Sequence, residues 1–233
     1  MFALSSVLSL LVALPAVFAA PSVPVGCDPS GDAISIPSNQ TQLWVNSTVG
    51  TPSFIALGVG VQNYTCGNTS TYTNVGAVAE LFDISCLYHT PIFTHLSELA
   101  YDKWNCTPEV TASDIINDLS GIHNPIVLGQ HYYVTNPVTG TGISPKWDFT
   151  SASESGNPNA FVVAAKIGDL PAPTGKTDVD WVQLKAIQGD LASYVFRVAT
   201  KGGQPPASCT PGSPLLSVKY TAQYWLYGGS VKK

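Results

Sequence analysis

Residues Val179–Cys209 read VDWVQLKAIQGDLASYVFRVATKGGQPPASC. From Leu191 to Thr200 the run alternates, with Tyr194, Phe196 and Val198 on one face and Val195 and Arg197 on the other, because successive strand side chains point to opposite sides. Val179, Trp181 and Gln183 alternate with Asp180, Val182 and Leu184 in the same way. Both runs are rich in β-branched and aromatic residues, which suit a pleated, half-buried surface. A turn centred on Gly189-Asp190 joins them as a hairpin. Gly202-Gly203 and Pro205-Pro206 then stop the second strand ahead of Cys209.

Arg197 is the only arginine of the chain. It falls among apolar neighbours, where a charge needs a partner. Strand placement offers Asp180 and Asp83. A structural ion pair and an anion-binding or catalytic arginine are the two readings of this position.

Outward from this hairpin, alternation predicts strands over Pro52–Cys66, Val75–Cys86, Ile126–Thr135, Lys146–Thr150, Phe161–Ile167 and Val218–Tyr227, with an edge strand over Ala33–Val49. Gly58 and Gly60 inside the first long strand mark a bulge or a close backbone approach. The period changes in Pro91–Trp104, where Ile92, Phe93, Leu96, Leu99, Ala100 and Trp104 recur at three and four. A helix is predicted there with Thr90 as N-cap and Pro91 at its first position, and a shorter one over Ser113–Leu119. The expected fold is mainly β, a single-domain β-sandwich or barrel of about seven to nine strands with a helical insertion near residues 90–121.

The first 19 residues, MFALSSVLSLLVALPAVFA, are apolar, carry no charged side chain and end on a small residue. They read as a secretory signal peptide, leaving residues 20–233 as one secreted domain. No later stretch approaches the ~20 apolar residues of a membrane span. Net charge is −5 and only 11% of residues are charged. Nucleic acid and anionic membranes are therefore not expected partners, since both call for clustered Lys and Arg. Sequons at Asn39, Asn46, Asn63, Asn68 and Asn105 fit an exported glycoprotein.

Five cysteines, Cys27, Cys66, Cys86, Cys106 and Cys209, contain no C-x-x-C pair. In an exported chain they read as disulfides with one thiol left over. The expected pairing joins Cys27 to Cys209 and two of Cys66, Cys86 and Cys106.

Taken together, GVGVQNYTC (Gly58–Cys66), GAVAELFD (Gly76–Asp83), QHYYV (Gln130–Val134), DVDWVQL (Asp178–Leu184), VFRVATKGGQPPASC (Val195–Cys209) and KYTAQYWLY (Lys219–Tyr227) resemble an uncharacterised family of secreted fungal and bacterial proteins. Its members are sometimes labelled malate dehydrogenase. The resemblance implies an extracellular protein deployed against a host or a growth substrate, and it supplies no catalytic residues. An NAD-dependent dehydrogenase is excluded on physical grounds. Gly58-Val-Gly60 lies within a strand, is not followed by a helix, and has no repeated βαβ pattern around it.

Neither a G-x-S-x-G elbow nor an H-E-x-x-H helix occurs, and no metal or cofactor is expected. His89 and His95 flank the helix start too far apart to pair as ligands, and His123 falls in a loop. His131 sits mid-strand, a core histidine or a general base. Asp178 and Asp180 share a face if the strand has begun, roughly 6.5–7 Å apart. Such a pair serves either a solvated strand entrance or acid–base work on a glycosidic bond. His131, Asp180 and Arg197 are therefore the catalytic candidates.

Trp181, Tyr224 and Trp225 are the binding candidates. With Tyr220, Tyr227, Trp147, Tyr132 and Tyr133 they supply either core or a stacking platform for sugar rings. The functional expectation is a non-enzymatic effector or surface protein contacting a host protein or a cell-wall polysaccharide. An extracellular carbohydrate-active enzyme is the alternative.

Overall fold

The computed structural model describes residues 26–120 and 126–232; the leader sequence and His123 lie outside them. Eight strands follow one another: β1 (Pro52–Cys66), β2 (Tyr72–Asp83), β3 (Val127–Thr135), β4 (Ile143–Asp148), β5 (Phe161–Leu170), β6 (Trp181–Gln188), β7 (Tyr194–Gly202) and β8 (Leu216–Tyr227). Each pairs antiparallel with the next, and β8 returns to pair with β1, so the sheet is a closed barrel. Between the two architectures open to an all-β pattern, closure leaves no unpaired edge.

Alternation sorts the side chains into two cores. Phe54 and Ala56 of β1, Ala77, Ala79 and Leu81 of β2, Val182 and Leu184 of β6, Val195 of β7, and Tyr220, Ala222, Tyr224 and Leu226 of β8 pack together inside the barrel. Ile55, Leu57, Phe196, Val198, Trp225 and Tyr227 point out and form a second cluster under Phe93 and the incoming chain at Ile34 and Ile36. One end of the barrel is plugged by Phe54 edge-on to Phe149 at 5.0 Å, with Leu191 and Val231 beside them.

The predicted edge strand over Ala33–Val49 is not one. That segment crosses the outside of the barrel and is held by side chains. The Trp44 N–H donates to Gln183 Oε1 at 2.8 Å, and the Tyr88 hydroxyl donates to the Ala33 carbonyl at 2.9 Å. With the sheet closed on itself, no edge remains for it to join.

The helical insertion also starts later than its period suggests. A single 3₁₀ turn, Phe93–His95, precedes α1 (Leu96–Asn105), and α2 (Ala112–Ser120) follows. Thr90 does not cap α1, because its hydroxyl donates back to the Leu87 carbonyl at 2.6 Å. No helix among the described residues is long and apolar enough to cross a membrane.

The disulfides are Cys27–Cys86 and Cys66–Cys209, leaving Cys106 free and exposed. The end-to-end pairing of Cys27 with Cys209 does not form. Cys27 meets the turn that follows β2, while Cys66 closes β1 onto the segment leading into β8. Asn39, Asn46, Asn68 and Asn105 are exposed, whereas Asn63 is half-buried and accepts a hydrogen bond from Ser217 at 2.7 Å.

Candidate functional site

The end of the barrel opposite the Phe54–Phe149 plug is open. Strand ends there carry Gln62 and Tyr64 (β1), Tyr133 (β3), Lys166 and Asp169 (β5), Asp180 just before β6, and Arg197 (β7), around a cavity of about 600 Å³. That volume lies within the usual range of small-molecule sites.

Arg197 points inward because it shares the Val195 face and alternates with the outward Phe196 and Val198. Its Nε and Nη2 both donate to the backbone carbonyl of Asp180, at 3.1 and 2.9 Å. The carboxylate expected to pair with it does not do so. Among the described residues no Asp or Glu oxygen lies within ion-pair distance of the guanidinium. Asp83 sits at the plugged end, where it accepts from the Gly26 N–H and from Ser85.

Burial works against the charge of Arg197. The oxygens of Tyr224, Tyr133, Tyr220 and Tyr64 more than offset it and leave the pKa raised. The guanidinium sits among these tyrosines and is anchored by one peptide oxygen. Tyr220 and Tyr224 hydrogen-bond to each other at 2.8 Å, and burial pushes Tyr224 up to about 12. Gly58 makes room for this arrangement, since a Cβ there would stand 2.6 Å from Cε2 of Tyr224.

Beside Arg197, Asp180 neighbours Asp169. Burial and then the Asp169 charge raise the Asp180 pKa, with Arg197 pulling the other way. Asp169 also pairs with Lys166 through one oxygen, while its Oδ1 has no donor. Asp178 is not the second carboxylate of this pair. It lies before β6 begins and is buried, taking hydrogen bonds from the Gly202 N–H at 2.7 Å and from Thr174.

Gln62 adds a donor. It is 2% exposed, its Oε1 accepts from Asn74 at 3.1 Å, and its Nε2 has no partner.

Of the six sequence candidates, the structure brings only Asp180 and Arg197 to the cavity. His131 lies deeper, stacked on Trp147 with centroids 4.5 Å apart, and its Nδ1–H donates to the Lys146 carbonyl at 2.9 Å. Burial pushes its pKa down to about 3, so the imidazole is neutral and does not reach the cavity. Tyr224 is buried among these rings. Trp181 and Trp225 face outward and line a separate cavity of about 500 Å³ beside α1, with Trp225 only 1% exposed. Tyr224 and Trp225 therefore offer no open stacking platform, whereas Trp181 is half-buried on the wall of that second cavity.

Sequence reasoning missed Gln62, Lys166 and Asp169. Lys166 follows Val162 and Ala164 at the inward spacing of β5. Asp169 lies beyond the predicted strand end at Ile167, but β5 runs on to Leu170. Charged residues on the inward parity of a strand are the signal that would have found Lys166.

The geometry defines a closed antiparallel barrel whose mouth is built around a guanidinium without a carboxylate partner. By its sequence the chain belongs to a family described as proteins of unknown function, DUF3455, which it matches over residues 47–228. Neither a curated protein nor a solved structure matches it.

Proposed function

We propose that this chain is an extracellular binding protein that acts without catalysis and takes a carboxylate-bearing group of a cell-wall polymer or host molecule into the barrel mouth. The observation that carries this reading is Arg197. A guanidinium held in a partly buried cavity, with no carboxylate of its own, is matched by a carboxylate brought by a ligand, through charge-assisted and often bidentate hydrogen bonds. The apolar leader, the exposed sequons and the two disulfides support an exported protein.

Glycoside hydrolysis is the competing use of such a mouth. The Asp169–Asp180 pair argues against it, because two carboxyls close enough to share a hydrogen bond leave no room for a sugar carbon between them. Retaining enzymes hold theirs about 5–5.5 Å apart and inverting enzymes hold them farther.

Thermal unfolding in the presence of small carboxylates and their matched neutral amides tests the proposal. Carboxylates are expected to raise the Tm and amides not to, with the rise absent in Arg197→Met. Equal shifts from acids and amides, or a shift that survives in the variant, would sink it.

A further inference from the structure

The mouth holds more than a cation, and the extra groups narrow the ligand. Gln62 presents an unpartnered amide donor from a nearly fully buried side chain, its oxygen already fixed by Asn74. On the other side stand the Asp169 and Asp180 carboxyls, one of whose oxygens, Asp169 Oδ1, has no donor. The rings of Tyr64 and Tyr133 and the side chains of Ala164, Val182 and Leu184 supply apolar wall between them.

A ligand that fills this space must therefore satisfy donors on one side and acceptors on the other, because a buried polar group left without a partner costs its full desolvation. A plain carboxylic acid meets Arg197 and Gln62 but brings no donor to Asp169 Oδ1. An amino acid would bring an ammonium to them, yet Lys166 already occupies Asp169 as a cation. Hydroxyl groups donate to carboxylates without adding charge.

Resting on the carboxylate reading above, we infer that the mouth is selective for a hydroxylated ring carboxylate of the uronic acid class. Its carboxylate lies against Arg197 and Gln62 Nε2, its hydroxyls donate to Asp169 and Asp180, and its C–H face lies on the tyrosine and aliphatic wall. Sugar rings commonly present this division between polar edge and apolar face, and aromatic side chains suit the latter.

Isothermal titration of the mature protein with three probes of similar ring size separates the parts of this inference. Galacturonate carries both carboxylate and hydroxyls, cyclohexanecarboxylate only the first, galactose only the second. Galacturonate is expected to bind at least tenfold more tightly than either. Equal binding of the two acids would overturn the hydroxyl selectivity and leave the carboxylate reading standing. Equal binding of galacturonate and galactose would overturn both, and binding of none would overturn the inference.

Asp169→Asn should bring galacturonate down toward cyclohexanecarboxylate while leaving the latter unchanged. Gln62→Met, which keeps the buried volume, should weaken both acids together. A variant series in which both substitutions leave all three affinities unchanged would place the ligand elsewhere.

Discussion

Arg197 is tied to Asp180 through the peptide and not through the carboxylate: Nε and Nη2 share the Asp180 carbonyl oxygen at 3.1 and 2.9 Å. The bond fixes the plane of the guanidinium against the start of β6. The Asp180 carboxyl is left to turn toward Asp169.

From this bond comes the first prediction. Arg197→Lys keeps a positive charge but not the planar fork, and a point charge does not replace a bidentate donor. Galacturonate affinity should fall by about 10- to 100-fold, the range of one hydrogen bond to a charged group. Titration calorimetry measures it, and an unchanged affinity would show that the guanidinium does not touch the ligand.

Ligand binding should depend on pH through Asp180. Its pKa is raised by burial and by Asp169, so acidification protonates it before an ordinary aspartate. The mouth then gains positive potential while the ligand carboxylate is still ionised. Affinity for an anion should therefore rise as pH falls from neutrality, then decline once the ligand itself protonates. In Asp180→Asn the rise should vanish; affinity that is flat with pH in the parent protein would contradict the coupling.

Fold stability carries two opposing acid responses. Glu80 is buried with one oxygen unpartnered, and burial raises its pKa to about 7. Its penalty is full above pH 7 and is relieved as pH falls toward its unfolded value of 4.5. His131, pushed down to about 3, runs the other way: the unfolded state takes up its proton first, so stability is lost as pH falls from 6.5 toward 3. Glu80→Gln should stabilise the protein at pH 8, on the order of 1 kcal/mol after allowance for solvent screening, and hardly at all at pH 4.5. Denaturant midpoints at the two pH values give the difference, and equal gains at both would show that the carboxyl titrates normally.

Gly60 tests strand packing. A Cβ there would stand 2.0 Å from the Val78 carbonyl oxygen and 2.5 Å from Cα of Ala79. Both contacts are with main chain, which cannot swing aside. Gly60→Ala should cost at least about 1–3 kcal/mol, or several degrees in Tm at roughly 2–4 °C per kcal/mol for a chain of this size. A melting curve identical to the parent's would mean that β1 and β2 are farther apart than described.

Removing the Cys66–Cys209 bond by a double Cys→Ser substitution should lower stability more than removing Cys27–Cys86. The first closes a loop of 143 residues and the second one of 59. The chain-entropy difference is below about 1 kcal/mol. The larger part is expected from the position of Cys66–Cys209 at the end of β1. Parallel thermal melts of the two variants check the order.

Much of the barrel is legible in the chain because strand periodicity is local. β1, β3 and β8 lie within one or two residues of their predicted bounds, and the inward parity of Val195 and Arg197 follows from counting by twos. What is not local was not legible. Ala33–Val49 alternates weakly, but whether a segment joins a sheet depends on whether an edge is open. Thr90 has the chemistry of a cap, but its hydroxyl went to a carbonyl three residues back. Asp169 and Gln62 face Arg197 from β5 and β1, and only closure brings those strands to one mouth. The Cys27–Cys86 pairing likewise depends on where the incoming segment crosses the barrel.

Closure also sets a timetable. The β1–β8 ladder joins Pro52 to Tyr227 and Tyr64 to Leu216, partners far apart along the chain. Contacts of such sequence separation are slow to form, so β1 waits with its apolar Phe54–Leu57 run unpaired on one side until the last strand arrives. Cys209 lies in the segment that leads into that strand, and its bond to Cys66 sits at the same seam. Oxidation of this one pair is therefore a chemical record that the two ends of the sheet have met. Its appearance during refolding marks the moment at which the mouth acquires Tyr220 and Tyr224 beside Arg197.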